Sequence, residues 1–173
     1  DKIGHKYNEK FLTPKDFMTH FKLILHRALF TRNRCKERIV LGTTQCRLCG
    51  SSTESISHFP DCPCLQPIFN KFLNLCPHST RNLPTQARHR LLLLGLSEPD
   101  LTPALSNFHL IMWKFILIHF TLVDLERRPF DPTTVWTGAV RRYTSKANSL
   151  TQQVHYARAR AEASRTPLVL TKF

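Results

Sequence analysis

The stretch 46-CRLCGSSTESISHFPDCPC-64 holds four of the six cysteines of this 173-residue chain, with one histidine among them. Cys46, Cys49, His58 and Cys62 read as C-x2-C-x8-H-x3-C. Two cysteines at that spacing form a knuckle whose thiolates grip one side of a Zn²⁺ ion. A histidine and a third cysteine a short loop later close the tetrahedron. Gly50 suits the knuckle because glycine tolerates positive φ. Ser51 and Glu54 stand in capping-box register, which predicts a short helix starting there and carrying His58 inward. The last ligand has two candidates, Cys62 after three intervening residues and Cys64 after five. Cys62 is preferred, because Asp61-Cys62-Pro63 can turn back on the helix end. The competing reading, buried free thiols in a small core, requires no regular spacing.

Residues flanking this cluster carry a resemblance. The segments 20-HFKLILHRALFTRNRCKERI-39 and 46-CRLCGSSTESISHFPDCPCLQPIF-69 resemble the zinc-binding region of non-LTR retrotransposon reverse transcriptases. His26-Arg27-Ala28-Leu29 stands where that family has a W-R-A-L-like element, and Phe30-Thr31-Arg32 where it has an L-P-T-R-like turn. Glu54-Ser55 precedes His58 and Cys62-Pro63 follows it. The segment 110-LIMWKFILIHF-120 is similar to the Trp-containing helix that trails the family's zinc motif. The family places four residues between its His and last Cys, and its downstream Trp is here Ile68 or Phe69. The resemblance implies a non-catalytic module that helps to hold template nucleic acid, possessed either by an intact reverse transcriptase or by a domesticated copy.

Enzymatic motifs are missing from the chain itself. No aromatic-x-Asp-Asp pair for two-metal polymerase chemistry occurs. Pro60-Asp61 and Pro99-Asp100 are not followed by the carboxylate-x-Lys of a restriction-type nuclease, and five glycines form no phosphate loop. No catalytic residue is assigned, and the expectation is a protein that is not an enzyme. A net charge of +13 points to a polyanionic partner. Arg27, Arg32, Arg34, Lys36, Arg38 and Arg47 crowd the knuckle with only Glu37 opposing them, as forked or point-charge phosphate contacts would. Clustered cysteines suit a reducing compartment where thiolates hold metal, and Cys35 and Cys76 read as buried thiols. Asp1 at the first position is expected of a fragment or a processed form.

Periodicity predicts a mainly helical chain. Thr13-Pro14 with Asp16 opens a helix to about Phe30, with Phe17, Phe21, Ile24 and Ala28 on one face. Ile39-Val40-Leu41 suits a short strand. Pro67 opens a helix that turns Ile68, Phe69, Phe72 and Leu73 inward, and another follows near 84–96 with Leu91 to Leu94. Thr102-Pro103 starts a helix that includes the apolar run 108–123 and stops at Arg127, Arg128 and Pro129. That run is short for a bilayer, which needs about 20 apolar residues, and it contains His109, Lys114 and His119. A buried central helix is predicted, without a membrane span.

Asp131-Pro132 opens the last and longest helix. Trp136, Val140, Tyr143, Ala147, Leu150, Val154, Ala157 and Ala161 recur at spacings of four and three, a heptad stripe. Arg141, Arg142, Lys146, Arg158, Arg160 and Arg165 lie off it. Residues 127–173 hold nine Lys/Arg against Asp131 and Glu162, a net +7. Such a helix either packs on its own domain or docks on a ribonucleoprotein.

The sequence therefore predicts a small, mainly α domain built around a zinc knuckle, with a buried central helix and a long basic C-terminal helix. Residues 1–128 form the zinc-binding unit, with its knuckle at 46–64, and 129–173 the basic helix and tail. Zn²⁺ is the expected cofactor, with Cys46, Cys49, His58 and Cys62 as ligands. RNA or DNA is the expected partner, with the proteins of a ribonucleoprotein such as a mitochondrial ribosome. Nucleic-acid contacts are expected from Arg27, Arg32, Arg34, Lys36, Arg38, Arg47, Arg141, Arg142, Lys146, Arg158 and Arg160. An intracellular site, mitochondrion or nucleus, fits that partner.

Overall fold

A computed structural model describes residues 13, 14, 18, 31, 32, 43–80 and 82–163, with side chains through Ser149. The helix expected over 13–30, the short strand at 39–41 and Cys35 lie outside the described residues, apart from isolated positions. Among the described residues are four α-helices and no named strand: α1 (Gln66–Leu75), α2 (Thr85–Leu94), α3 (Pro103–Glu126) and α4 (Pro132–Ala163). Short 3-10 turns at Phe59–Asp61 and His78–Thr80 precede α1 and α2.

Local chemistry fixes most of the boundaries. Pro67 sits in the first turn of α1, where its missing N–H costs nothing. Gly95 ends α2 at φ +65°, with its N–H returned to the Leu91 carbonyl at 2.8 Å. Thr102 caps α3 by accepting from the Leu105 N–H, with Pro103 next. Arg127 then takes a left-handed conformation (φ 50°), unusual for a side chain with a Cβ, and α3 ends there. The Asp131 carboxylate opens α4 by accepting from the N–H groups of Thr133 and Thr134. Those bonds hold its carboxyl below the ordinary range, the Thr134 hydroxyl contributing most.

The central helix is α3. Every residue from Ser106 to Trp113 is buried, so neighbours enclose this stretch on all sides. By length and composition α3 could cross a membrane; here its middle is the core of the fold. Trp113 lies at the centre, with ring centroids 5.8 Å from Phe69 of α1 and 6.3 Å from Phe59. Phe72 of α1 packs on Phe108 and His109. Trp113 Nε1 donates to the Leu92 carbonyl at 2.7 Å, and His109 Nε2 lies 2.8 Å from the same oxygen. Leu92 is in the last turn of α2, where carbonyls lack intrahelical partners. Two side chains one turn apart on α3 thereby satisfy a carbonyl of the α2 end at Leu92, a residue with no solvent exposure.

The N-terminal half of α4 belongs to the same core. Val135 and Ala139 are completely buried, and Trp136 and Tyr143 meet Phe108 edge-on at 5.2 and 5.5 Å. This widens the predicted stripe and corrects it at one position. The stripe holds at Trp136, Tyr143 and Ala147, which pack against the core, but Val140 is 39% exposed and the buried face also takes in Val135, Gly138 and Ala139. A strict heptad suits two helices coiling alone, but α4 also touches α1 beside α3, so a broader face is buried.

α3 and α4 approach each other closely at Gly138. A Cβ there would stand 2.5 Å from Cε1 of Phe115. Gly138→Ala should gain about 1 kcal/mol in helix propensity and lose about 2 kcal/mol or more to overpacking. A net fall in stability by chemical denaturation is expected. Unchanged or increased stability would mean that the two helices stand further apart than described.

Candidate metal centre

Backbone turns build the knuckle before any ligand is considered. The Cys46 N–H donates to the Ser52 carbonyl (2.7 Å) and the Glu54 N–H to the Thr44 carbonyl (2.9 Å), flanking a bridge between Gln45 and Thr53. The Gly50 N–H returns to the Cys46 carbonyl at 2.8 Å. Gly50 has φ +68° with open space around it, so its backbone conformation, not crowding, demands glycine. Chain reversal places Cys46 and Cys49 side by side. N–H groups of Leu48 and Cys49 point at the Cys46 sulfur, and those of Ser51 and Ser52 at the Cys49 sulfur. The Ser51 hydroxyl also donates to Cys49 Sγ, at 3.3 Å.

The other two candidate ligands arrive on a turn anchored in the core. No helix forms over 51–57, contrary to the capping-box reading. Ser55 and Ile56 instead begin a turn in which the His58 N–H meets the Ser55 hydroxyl (3.1 Å), and Phe59–Asp61 continues as a 3-10 turn. Glu54 cannot cap because its carboxylate is held elsewhere. Phe59 is buried against Trp113 and Phe120, fixing the turn between His58 and Cys62. On its outer side His89 of α2 pairs with Asp61 (3.0 Å). Gln66 bonds the Pro60 carbonyl (2.6 Å) and accepts from Arg88 (3.2 Å).

Cys46, Cys49, His58 and Cys62 come together with their ligand atoms all within 4.8 Å of one another. Cys46 and Cys62 sulfurs lie 4.0 Å apart, and Cys49 Sγ lies 3.4 Å from His58 Nε2. A tetrahedral ion with metal–sulfur bonds near 2.3 Å and a metal–nitrogen bond near 2.0 Å requires about 3.8 Å and about 3.5 Å for these pairs. The donor set fits and can hold a metal ion. Cys64 is not part of it: its thiol donates to the Leu48 carbonyl at 3.3 Å. Of the two cysteines open as fourth ligand, Cys62 lies in the group that could hold a metal ion and Cys64 does not. Cys76 is buried in the hydrophobic core and outside the set.

Proton chemistry within the set suits a cation. Cys46 is lowered to about 5, chiefly because Cys62 donates to its thiolate. Cys62 is pushed up, since it supplies that proton and a second anion beside the first is disfavoured. Burial opposes ionisation of Cys49, but Ser51 and the knuckle N–H groups prevail and its thiol is lowered. His58 is raised: burial works against its charge, while the Cys49 and Cys46 sulfurs outweigh it. A cation would replace these shared protons as the partner of all three thiolates.

Beside the knuckle lies an ion-pair network that was not read from the sequence. Glu54 has no solvent exposure. Its carboxylate accepts from the Arg47 N–H (2.9 Å), Arg47 Nε (2.8 Å), Arg47 Nη2 (2.6 Å) and the Arg32 N–H (2.8 Å). Arg47 Nη1 and Arg32 Nη2 both reach Asp124 of α3. Burial favours a neutral Glu54, but the Arg47 guanidinium and the two N–H groups hold it below the ordinary carboxylate range. Arg47 also lies over the Phe120 ring, and its side chain is 11% exposed.

The expected nucleic-acid contacts therefore divide. The Arg47 side chain pairs with buried Glu54, and Arg47 and Arg32 both pair with Asp124 at the surface. Arg141 and Arg142 are exposed on α4 and Lys146 is half-buried. Arg27, Arg34, Lys36 and Arg38, and the side chains of Arg158 and Arg160, lie outside the described residues. The signal for the network was Glu54 itself, an acid seven residues past Arg47.

No known protein-family model, curated protein or solved structure matches the chain.

Two predictions test the centre. Cys62→Ser should abolish stoichiometric metal binding by the purified protein, whereas Cys64→Ser should retain it. The reverse result would make Cys64 the ligand. Glu54→Gln should keep the metal but lower unfolding free energy by about 3 kcal/mol or more, the cost of leaving one partner of a buried ion pair uncompensated. Unaltered stability would show that the network contributes nothing net.

Proposed function

We propose that this chain is a non-catalytic, zinc-stabilised RNA-binding protein derived from a retroelement reverse transcriptase, and that it serves as a structural subunit of a large ribonucleoprotein such as a mitochondrial ribosome. The observation that carries the reading is a compact Cys3His centre in a chain of net charge +13. Three thiolates and an imidazole at tetrahedral spacing favour Zn²⁺ over hard cations, which take oxygen ligands. Four protein ligands leave no open position for a reacting water, as in sites whose metal serves folding.

Zinc would fix the knuckle against α3, and cationic side chains would engage phosphates from that rigid base. Phosphate contacts position a protein without reading sequence, so binding should be strongly salt-dependent and weakly base-specific. Arg27, Arg34, Lys36, Arg38, Arg141, Arg142, Lys146, Arg158 and Arg160 supply those contacts. Arg32 and Arg47 act one step back, holding the knuckle in place. A mitochondrial or nuclear location follows from this partner. The apolar, enclosed α3 and the long α4 favour a subunit over a free-standing enzyme part. The similarity of residues 20–69 to the reverse-transcriptase zinc region favours a second reading, in which the module serves an intact reverse transcriptase and holds its template RNA or DNA.

Native purification at moderate salt, with the co-purifying RNA and proteins identified, tests both. Stoichiometric ribosomal RNA and ribosomal proteins are expected. A polymerase-bearing polypeptide with element RNA would establish the second reading, and absence of nucleic acid would overturn both.

A further inference from the structure

α4 has a second face that the core does not use. From Pro132 to Ala161 the helix contains no Asp or Glu, an unusual stretch on an exposed surface. The acids around the knuckle already have partners, with Glu54 buried against Arg47, Asp124 bound by Arg32 and Arg47, and exposed Asp61 paired with His89. Turned away from Val135 and Ala139, with Arg141, Thr144 and Asn148 at its centre and Ser145 and Ser149 along one edge, a row of exposed side chains lines a shallow cleft of about 600 Å³. Their spacing of three and four residues puts them on one face, with neighbours about 5–6 Å apart. The face is polar throughout, one guanidinium among hydroxyls and a carboxamide. The inner side of the same helix is fixed by Gly138 against Phe115 and by Trp136 and Tyr143 on Phe108.

We propose that this outer face of α4 seats the ribose–phosphate backbone of duplex RNA. Arg141 pairs with a phosphate, while Thr144, Ser145 and Asn148 bond phosphate oxygens and ribose 2′-hydroxyls. The inference rests on the RNA-binding reading above and names the surface and the form of RNA. Composition decides the partner. A carboxylate surface only accepts hydrogen bonds, and would be met best by several cations. A 2′-hydroxyl both donates and accepts, as do the hydroxyls and carboxamide that dominate this face. Geometry decides the form. Pro132 to Ser149 is a helix running about 27 Å at 1.5 Å per residue, and a straight polar face can lie along the wide, shallow minor groove of A-form RNA, where 2′-hydroxyls are displayed. Neutral side chains supply hydrogen bonds without releasing counterions, so their contribution separates from that of arginine by its salt dependence.

The test uses the full chain loaded with Zn²⁺, an RNA hairpin, and the DNA hairpin of the same sequence, over a series of salt concentrations. A triple variant, Thr144→Val with Ser145→Ala and Asn148→Ala, should bind the RNA hairpin about tenfold more weakly, the loss of a few modest hydrogen bonds. Its salt slope should match that of the unaltered protein, and its loss on DNA should be clearly smaller. Arg141→Gln should instead flatten the salt slope by about one unit on both hairpins. A conservative double variant, Thr144→Ser with Asn148→Gln, should bind as the unaltered protein does, and all variants should keep its helicity and melting midpoint. RNA affinity unchanged in the triple variant, or equal losses on RNA and DNA, would overturn the proposal. So would a poly-glutamate peptide that binds with the same sensitivity to the triple variant, which would make the face a seat for acidic protein. If the unaltered protein binds neither hairpin, the RNA-binding reading itself fails, an outcome distinct from failure of this face alone.

Discussion

A carboxylate completely withdrawn from water, Glu54, holds the working parts of this fold in register. Burying an ion is costly unless its lone pairs are all engaged. Here two backbone N–H groups and the fork of Arg47 engage them, and Arg47 and Arg32 then reach across to Asp124. One residue therefore joins the segment at Arg32, the knuckle and the far end of α3. Because Arg47 lies between two of the candidate ligands, Cys46 and Cys49, the network also sets how the knuckle faces the core. The candidate metal centre and the ion pair are adjacent constraints on one loop, one made of sulfur and imidazole groups and one of charge.

The two halves of the centre are held by different means. Cys46 and Cys49 depend on a tight backbone turn with glycine at positive φ. His58 and Cys62 depend on the burial of Phe59 between Trp113 and Phe120. Ligand geometry on one side is thus a local property, and on the other it is a property of the core. The core in turn depends on α3, whose Trp113 and His109 satisfy the last turn of α2 while their rings pack against α1 and Phe59. A chain of contacts runs from the metal ligands to α4 without a gap.

Legibility in the sequence followed the range of the interactions. Short-range signals were readable: the C-x2-C spacing, Pro67, Thr102-Pro103 and Asp131-Pro132 each marked a turn or helix start that the structure contains. The sequence leaves two cysteines as fourth ligand, and what separates them is three-dimensional: Cys62 Sγ joins the other three ligand atoms, while the Cys64 thiol turns to the Leu48 carbonyl. The capping box at Ser51 and Glu54 misled, because a stronger partner for Glu54 lay at the neighbouring Arg47 and at distant Arg32. The helix stripe on α4 held at Trp136, Tyr143 and Ala147 but failed at Val140 and omitted Val135 and Ala139, since periodicity cannot register that α1 joins α3 against it. Arg32 and Arg47 read as surface cations for a similar reason: their partner Asp124 is 77 or more residues away in the chain.

The missing side chain at Gly138 has a consequence for orientation. With the Phe115 ring occupying the volume where a Cβ would sit, α4 can neither roll about its axis nor slide by a turn without driving a bulkier residue into that ring. The pair behaves as a key in a slot. The compass bearing of every outward residue on α4 is therefore set from inside the protein, at a point where the helix has no side chain at all.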